Sequence, residues 1–204
     1  MSGVGLPSPS NPFATRFTRP GALAFQFPAG GSPTLLVERL RQFGWRGQIV
    51  GPHGSGKSSL LAALSPALEA AGRRVVMLRL RDGQRHLPPE FEPGGWNGET
   101  QLVVDGYEQL SRWARWRLQR WQRHSSCGLL VTAHQSVRLP LLWQTEPSAE
   151  LLQTLVAALL QQPTLEPAQR ERVQAVFARR QGDLREALFD LFDQVERKEW
   201  PAAR

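Results

Sequence analysis

The chain has 204 residues, enough for a buried core, and its 41% hydrophobic and 21% charged residues are ordinary for a globular protein. No apolar stretch reaches the ~20 residues of a membrane helix, and residues 1–12 lack the cationic start and apolar run of a signal peptide. We therefore expect a cytoplasmic protein with no membrane partner. The net charge of +7 favours polyanionic partners. The single cysteine, Cys127, heads an apolar run and is predicted to be a buried structural thiol.

Residues 1–31 are rich in Pro, Gly, Ser and Phe and are predicted to form an extended N-terminal arm. The arm contains four phenylalanines, which are too many for a free tail, so we expect it to pack on the core. They are Phe13, Phe17, Phe25 and Phe27. Ser32 and Pro33 resemble an N-cap and the first residue of a helix, and they predict a helix over the following ten or so residues.

Residues 51–58 match the phosphate-binding pattern G-x-x-x-x-G-K-[ST] in full. The glycines let successive backbone N–H groups converge on phosphate oxygens, and the helix that follows presents its positive N-terminal end. Lys57 is predicted to reach the outer phosphates and Ser58 to ligate Mg²⁺. The predicted nucleotide-binding residues are Gly51, Pro52, His53, Gly54, Ser55, Gly56, Lys57, Ser58 and Ser59.

The flanking sequence fits this motif. A strand-like segment ends at Val50, and a helical pattern of leucines follows the loop until Gly72 closes it. Of the 25 basic residues only Lys57 and Lys198 are lysine. The chain thus uses lysine where a compact ammonium must fit among phosphates.

A second strand is predicted at residues 74–80, and a loop-rich segment with three prolines and four glycines follows at residues 82–98. Residues 101–105 form an apolar strand that ends in Asp105, the Walker B pattern, which places a carboxylate beside the phosphate loop to hold the Mg²⁺ shell. Glu108 is the nearby carboxylate that is placed to polarise an attacking water. The alternative for Glu108 is a helix-start or surface glutamate.

Residues 111–124 are predicted to form a helix in which tryptophans alternate with arginines. One interpretation is an amphipathic helix with a tryptophan-lined inner face and a solvated arginine face. The other is a nucleic-acid surface on which arginines contact phosphates and aromatic rings stack on bases. The arginines assigned to that surface are Arg112, Arg115, Arg120 and Arg123.

Residues 128–134 form another apolar strand with a polar end, where Thr132 or His134 is expected to orient the lytic water. A histidine satisfied in the following loop is the competing interpretation for His134. From Pro147 onward the patterns are helical only, and three short helices are predicted. We therefore predict an α/β fold: an arm at 1–31, a P-loop NTPase core at 32–146 with a parallel sheet flanked by helices, and a helical lid at 147–204.

The order of P-loop, Walker B strand, polar-ended strand and helical lid resembles the AAA+ class of ATPases. Residues 182–188, Gly-Asp-Leu-Arg-Glu-Ala-Leu, resemble the opening of the sensor 2 helix in clamp-loader and origin-recognition type members. This resemblance implies that Arg185 reaches from the lid to the nucleotide phosphates and that Thr132 or His134 occupies the sensor 1 place. It covers about residues 45–195.

The sequence departs from that class at two points. Gly106, rather than a glutamate, follows Asp105. The segment between His134 and the lid is too short for a full helix that ends in an arginine finger and for a long last strand. Arg138 is the nearest arginine to that position. The oligomeric state is left open.

These patterns predict a protein that binds ATP and Mg²⁺ and hydrolyses ATP, coupling nucleotide state to lid position and to a protein or DNA partner. One alternative is a nucleotide-dependent adaptor with little or no hydrolysis. Another is a small-molecule kinase, which predicts the Asp105 strand directly beside the P-loop strand. The AAA+ interpretation instead predicts the strand that carries Val131 between those two.

Overall fold

The structure is a computed structural model that describes residues 11–18, 22–28, 30–89, 91 and 94–201. These residues fall into two compact units. An α/β unit comprises Phe25–His53 and Lys57–Glu146, and a helical unit comprises Pro147–Arg204 together with Gly54–Gly56 and part of the first 24 residues.

The α/β unit contains five strands: β1 (Arg46–Val50), β2 (Arg74–Arg79), β3 (Thr100–Asp105), β4 (Gly128–Ala133) and β5 (Leu141–Gln144). They form one sheet in the order β2-β3-β4-β1-β5, and every pairing in it is parallel. The strand that carries Val131 therefore lies between the P-loop strand and the Asp105 strand, as the AAA+ interpretation predicts. The small-molecule kinase interpretation predicts the Asp105 strand directly beside the P-loop strand, and this prediction is wrong.

Helices cover both faces of this sheet, as a parallel sheet requires. Helices α2 (Pro33–Gln42) and α3 (Lys57–Ala70) pack through leucines on one face with Ile49, Val103 and Leu130. Helix α4 (Arg112–His124) packs on the other face with Leu102, Val104, Leu129 and Val131. The central strands β3 and β4 are buried almost throughout, so the two clusters hold the carboxyl ends of β1, β3 and β4 in fixed register.

Local signals explain where these elements begin and end. Ser32 caps α2 by accepting a hydrogen bond from the Leu35 amide, and Pro33 is the first helical residue, as predicted. Gly72 follows α3 at φ +78°, which confirms it as the left-handed residue that ends this helix. Gln48, buried in β1, binds the short β4–β5 connection by accepting from the Val137 amide and donating to the Leu139 carbonyl.

Cys127 is buried directly before β4, as predicted, and burial raises the pKa of its thiol. The residues between β2 and β3 form neither helix nor strand in their described part, again as predicted. Leu87 and Phe91 from this segment are buried in the same cluster as α4. The segment therefore covers one face of the sheet where a longer helix would usually lie.

The helical unit consists mainly of α5 (Ala149–Leu159), α6 (Pro167–Arg179) and α7 (Leu184–Glu196). Their apolar stripes share one core that includes Leu152, Val173 and Leu191. Each helix starts where the sequence has a cap: Ser148 caps α5, Glu166 and Gln169 form a capping box on α6, and Asp183 caps α7.

Part of the predicted N-terminal arm belongs to this helical unit. A short helix, α1 (Thr15–Thr18), follows Phe13, whose ring is fully buried and meets Trp200 edge-on at 5.5 Å between centroids. The Asn11 amide donates to the Phe192 carbonyl at 3.0 Å and to Glu196 at 2.8 Å. Residues 11–18 are thus held by α7, through side-chain bonds as well as apolar contact.

The second part of the arm belongs to the α/β unit. Phe25 and Phe27 meet edge-on at 4.8 Å, and Phe27 meets Trp143 of β5 at 6.2 Å. Residues 1–10, 19–21 and 29 of the predicted arm lie outside the described residues.

None of the described helices combines the length and the apolar character needed to cross a membrane.

Candidate nucleotide site

The phosphate-loop motif lies between β1, which ends at Val50, and α3, which begins at Lys57. Gly54 and Gly56 adopt φ of +65° and +89°, the left-handed region that glycine enters without steric cost. The Gly51 amide donates to the Ala133 carbonyl at 3.2 Å, which ties the start of the loop to the end of β4. Strand, glycine turn and helix therefore follow in the order that the motif requires.

Lys57 is the first residue of α3 and is buried, an unusual place for lysine. Its ammonium donates to the carbonyl oxygens of Gly51 at 2.7 Å and Pro52 at 2.6 Å. The side chain thus bends back over the loop instead of extending into solvent. Ser58 and Ser59 follow in the first turn of α3, half-buried.

Asp105 is the last residue of β3, at the same edge of the sheet as the loop. Its Oδ1 accepts a hydrogen bond of 2.7 Å from the Thr132 hydroxyl on the neighbouring strand β4. The same hydroxyl accepts from the Gly106 amide at 2.9 Å. Thr132 is fully buried, and its hydroxyl holds the Asp105 carboxylate and the turn after it in place through these two hydrogen bonds.

The backbone at Gly106 explains why the glutamate is at position 108 and does not follow Asp105 directly. It has φ +84°, and a Cβ at this position would lie 3.3 Å from the Leu80 carbonyl oxygen, so a larger residue is disfavoured in both respects. This turn leads into a 3₁₀ helix, Tyr107–Gln109, that carries Glu108. Tyr107 anchors the helix: its ring is buried, its hydroxyl accepts from the Gln119 amide, and burial raises its pKa.

Glu108 meets His134, the residue that follows β4. Its Oε1 lies 3.2 Å from His134 Nε2, while its Oε2 is buried without a hydrogen-bond partner. The His134 ring in turn contacts the ring of His53 in the phosphate loop, with 6.1 Å between centroids. Glu108, His134 and the loop are therefore brought together, although they are far apart in sequence.

The sequence therefore names these residues but not their pairing. Thr132 and His134 stand as alternatives in the sequence, whereas the structure gives Thr132 a partner in Asp105 and leaves the side chain of His134 41% exposed. Strand alternation does not separate the two residues, because positions 132 and 134 would lie on the same face. They differ because β4 ends at Ala133, so Thr132 lies within the buried strand and His134 follows it.

Arg185 belongs to the helical unit, in the first turn of α7. Its side chain is exposed, and its guanidinium lies 5.6 Å from the centre of the Phe189 ring one turn later. Gly182 at φ +83° and the Asp183 cap, which accepts from the Arg185 and Glu186 amides, fix the start of this helix. The predicted contact of Arg185 with a nucleotide stays a prediction.

Helix α4 differs from the expected amphipathic helix with an inner tryptophan face. Trp121 packs partly on the core, but Trp113 and Trp116 are 60% and 56% exposed. At 100° per residue Trp116 lies 200° from Ala114, on the opposite side of the helix, so the spacing itself carries this signal. Arg115 is the other exception, because it donates to the carbonyl oxygens of Leu110 and Glu108.

No protein-family model matches the chain, and no curated protein matches it. Among solved structures, the chain is similar to NtrX from Brucella abortus, crystallised in complex with ATP. The TM-score is 0.46 at 16% identity, over 84% of this chain and 52% of that one, so the chain spans about half the length of the solved protein.

Proposed function

We propose that this protein binds ATP with Mg²⁺ at residues 51–59 and hydrolyses it as an AAA+-like ATPase. The observation that carries the proposal is the placement of the loop. A complete P-loop joins the inner strand β1 to α3, and Asp105 ends β3 at the same sheet edge, with β4 between them. In open parallel sheets, ligands bind outside the carboxyl ends of the strands.

The side chains at this edge fit a triphosphate and its metal. Backbone N–H groups of the glycine turn face a phosphate, and the Lys57 ammonium replaces its two carbonyl partners with phosphate oxygens. Ser58 and Asp105 supply a hydroxyl and a carboxylate, the oxygen donors that Mg²⁺ prefers. When bound, Mg²⁺ neutralises charge on the phosphate oxygens.

Glu108 and His134 are the residues that we assign to activating the attacking water. The unpartnered Oε2 of Glu108 is a base within reach of the same sheet edge, and Oε1 is oriented by His134. His134 contacts His53 of the loop, so we assign it the sensor position. Thr132 then positions Asp105 and does not touch the nucleotide. Arg185 is proposed as the lid residue that contacts the phosphates, on the sequence resemblance alone.

Phosphate release from ATP tests this assignment. We expect Lys57→Ala to reduce release to background and Glu108→Gln to lower kcat by at least a hundredfold, within the range of general base catalysis. Lys198→Ala and Glu99→Gln are matched controls, because both residues are exposed and lie outside the site. Equal release by the wild type, Lys57→Ala and Glu108→Gln would contradict hydrolysis at this site.

A nucleotide-dependent adaptor is the second candidate. It is favoured by the displacement of Glu108 to the third position after Asp105 and by its contact with His134, which engages one carboxylate oxygen. In this case ATP binding depends on Lys57, but phosphate release is absent from the wild type and from Glu108→Gln alike. Binding measured beside turnover separates the two candidates.

A further inference from the structure

The outer side of α4 has the composition of a polyanion-binding surface. Its thirteen residues, Arg112–His124, include five arginines and no acidic residue. Among the described residues, no carboxylate forms an ion pair with any of these arginines. The positive charge of this helix is therefore not neutralised within the described part of the chain.

Two exposed tryptophans lie among these arginines. Trp113 and Trp116 are the most exposed aromatic side chains in the described residues, and exposing so much apolar area is costly unless a partner covers it. The Arg117 guanidinium lies 5.4 Å from the Trp113 ring and 4.3 Å from the Trp121 ring, and Arg120 lies 5.8 Å from Trp116. These cation–π contacts hold positive charge beside the Trp113 and Trp116 rings.

The C-terminal half of the helix forms one side of a groove of about 530 Å³. The groove is lined by Trp116, Arg120, Trp121, Arg123 and His124. Trp121 is anchored, because it packs on the sheet cluster and meets Trp96 edge-on at 6.1 Å. One wall is therefore a fixed aromatic ring, and the rim consists of cationic side chains.

We propose that this groove binds single-stranded nucleic acid, with a base stacked on Trp116 and the adjoining phosphates held by Arg120 and Arg123. An exposed aromatic ring offers a base a stacking surface, the neighbouring arginines offer its phosphates positive charge, and stacking accepts any base. A duplex hides its base faces, so it offers only its phosphates. An anionic membrane offers charge as well, but its headgroups offer no base to stack on the exposed ring of Trp116.

The test is fluorescence anisotropy of labelled 15-nucleotide dT and U strands in 50 mM salt. We expect Trp116→Ala to weaken binding about tenfold, the typical effect of losing one stacked base. Arg120→Ala with Arg123→Ala should weaken binding and lower the slope of log K against log salt by about 1.4, since each single-strand phosphate contact adds about 0.7. The titrations contain no nucleotide, which keeps this result independent of ATP binding and hydrolysis.

The matched control is Arg170→Ala with Arg172→Ala, which removes the same charge from exposed positions of α6. If this control still binds the labelled strands while the α4 variants lose binding, the result supports strand binding in the groove. Equal weakening of binding in both double variants would overturn the proposal, because general positive charge would then explain the affinity. Absence of strand binding, or binding to phosphatidylglycerol vesicles in its place, would also overturn it. Trp116 is exposed, so unchanged thermal unfolding is expected for its alanine variant.

Discussion

The hydrogen bond between Thr132 and Asp105 gives a quantitative prediction for Thr132→Val. Valine has nearly the shape of threonine but lacks the hydroxyl, so Asp105 Oδ1 and the Gly106 amide both lose a partner. A hydrogen bond to a charged group contributes roughly 1.5–3 kcal/mol, and the bond to the amide about 1 kcal/mol. The added methyl group returns about 0.8 kcal/mol through burial. We therefore expect a net loss of about 2 kcal/mol in the free energy of unfolding.

Urea unfolding followed by tryptophan fluorescence measures this loss. Six of the seven tryptophans belong to the α/β unit, and only Trp200 belongs to the helical unit, so the signal reports mainly on the unit that contains Thr132. With a urea slope near 2 kcal/mol per molar, the midpoint should fall by roughly 1 M.

The same variant should alter the metal dependence of nucleotide binding, because Asp105 is no longer held in place. We expect Thr132→Val to need more Mg²⁺ for half-maximal ATP binding. Thr132→Ser, which keeps the hydroxyl, should lose some stability with its methyl group but retain the wild-type Mg²⁺ dependence. A valine variant with an unchanged urea midpoint and unchanged Mg²⁺ dependence would refute the positioning role of Thr132.

Two further predictions concern the turn after β3 and the helical unit. Gly106→Ala should lower the free energy of unfolding by about 1–2 kcal/mol, because alanine is disfavoured at φ +84°, and should reduce phosphate release by moving Glu108. Gly83→Ala is the control: Gly83 has φ +80° in open space, so this variant should lose similar stability in thermal unfolding without a change in phosphate release. Burial alone would raise the pKa of Asp190, but hydrogen bonds from Gln194, Arg180 and Arg179 hold it below its ordinary value. The stabilisation from this depressed pKa is fully present above about pH 4, the ordinary value for aspartate, and is lost as the pH falls through the lowered value. Asp190→Asn should therefore unfold more easily at pH 7, by about 2 kcal/mol. Its difference from the wild type in circular dichroism should shrink as the pH falls below about 4, and a constant difference would contradict the ion pairing.

The elements of this fold were largely predictable because each carries a local signal. The leucine spacing after Lys57, the apolar run before Asp105 and the caps at Ser32 and Ser148 all act within a few residues. These signals determined the type and the approximate ends of most strands and helices. They did not predict the four-residue strand β5 or the four-residue helix α1. They also placed the phosphate loop between a strand and a helix.

The pairing of the site residues was not predictable, because it depends on strand order. Thr132 reaches Asp105 only because β4 pairs with β3, and Glu108 reaches His134 only because Gly106 turns the chain after β3. No local pattern encodes either contact. The exposure of Trp116 was available from helical angles, but the hydrophobic character of tryptophan suggested an inner face.

The most direct test of the central claim is isothermal titration calorimetry of ATP with the wild-type protein and with Lys57→Ala, in the presence and absence of Mg²⁺. We predict saturable binding of one ATP per chain that tightens with Mg²⁺ and is lost in Lys57→Ala, while Lys198→Ala binds as the wild type does. Failure of the wild type to bind ATP, or equal binding by Lys57→Ala, would contradict the nucleotide site at residues 51–59.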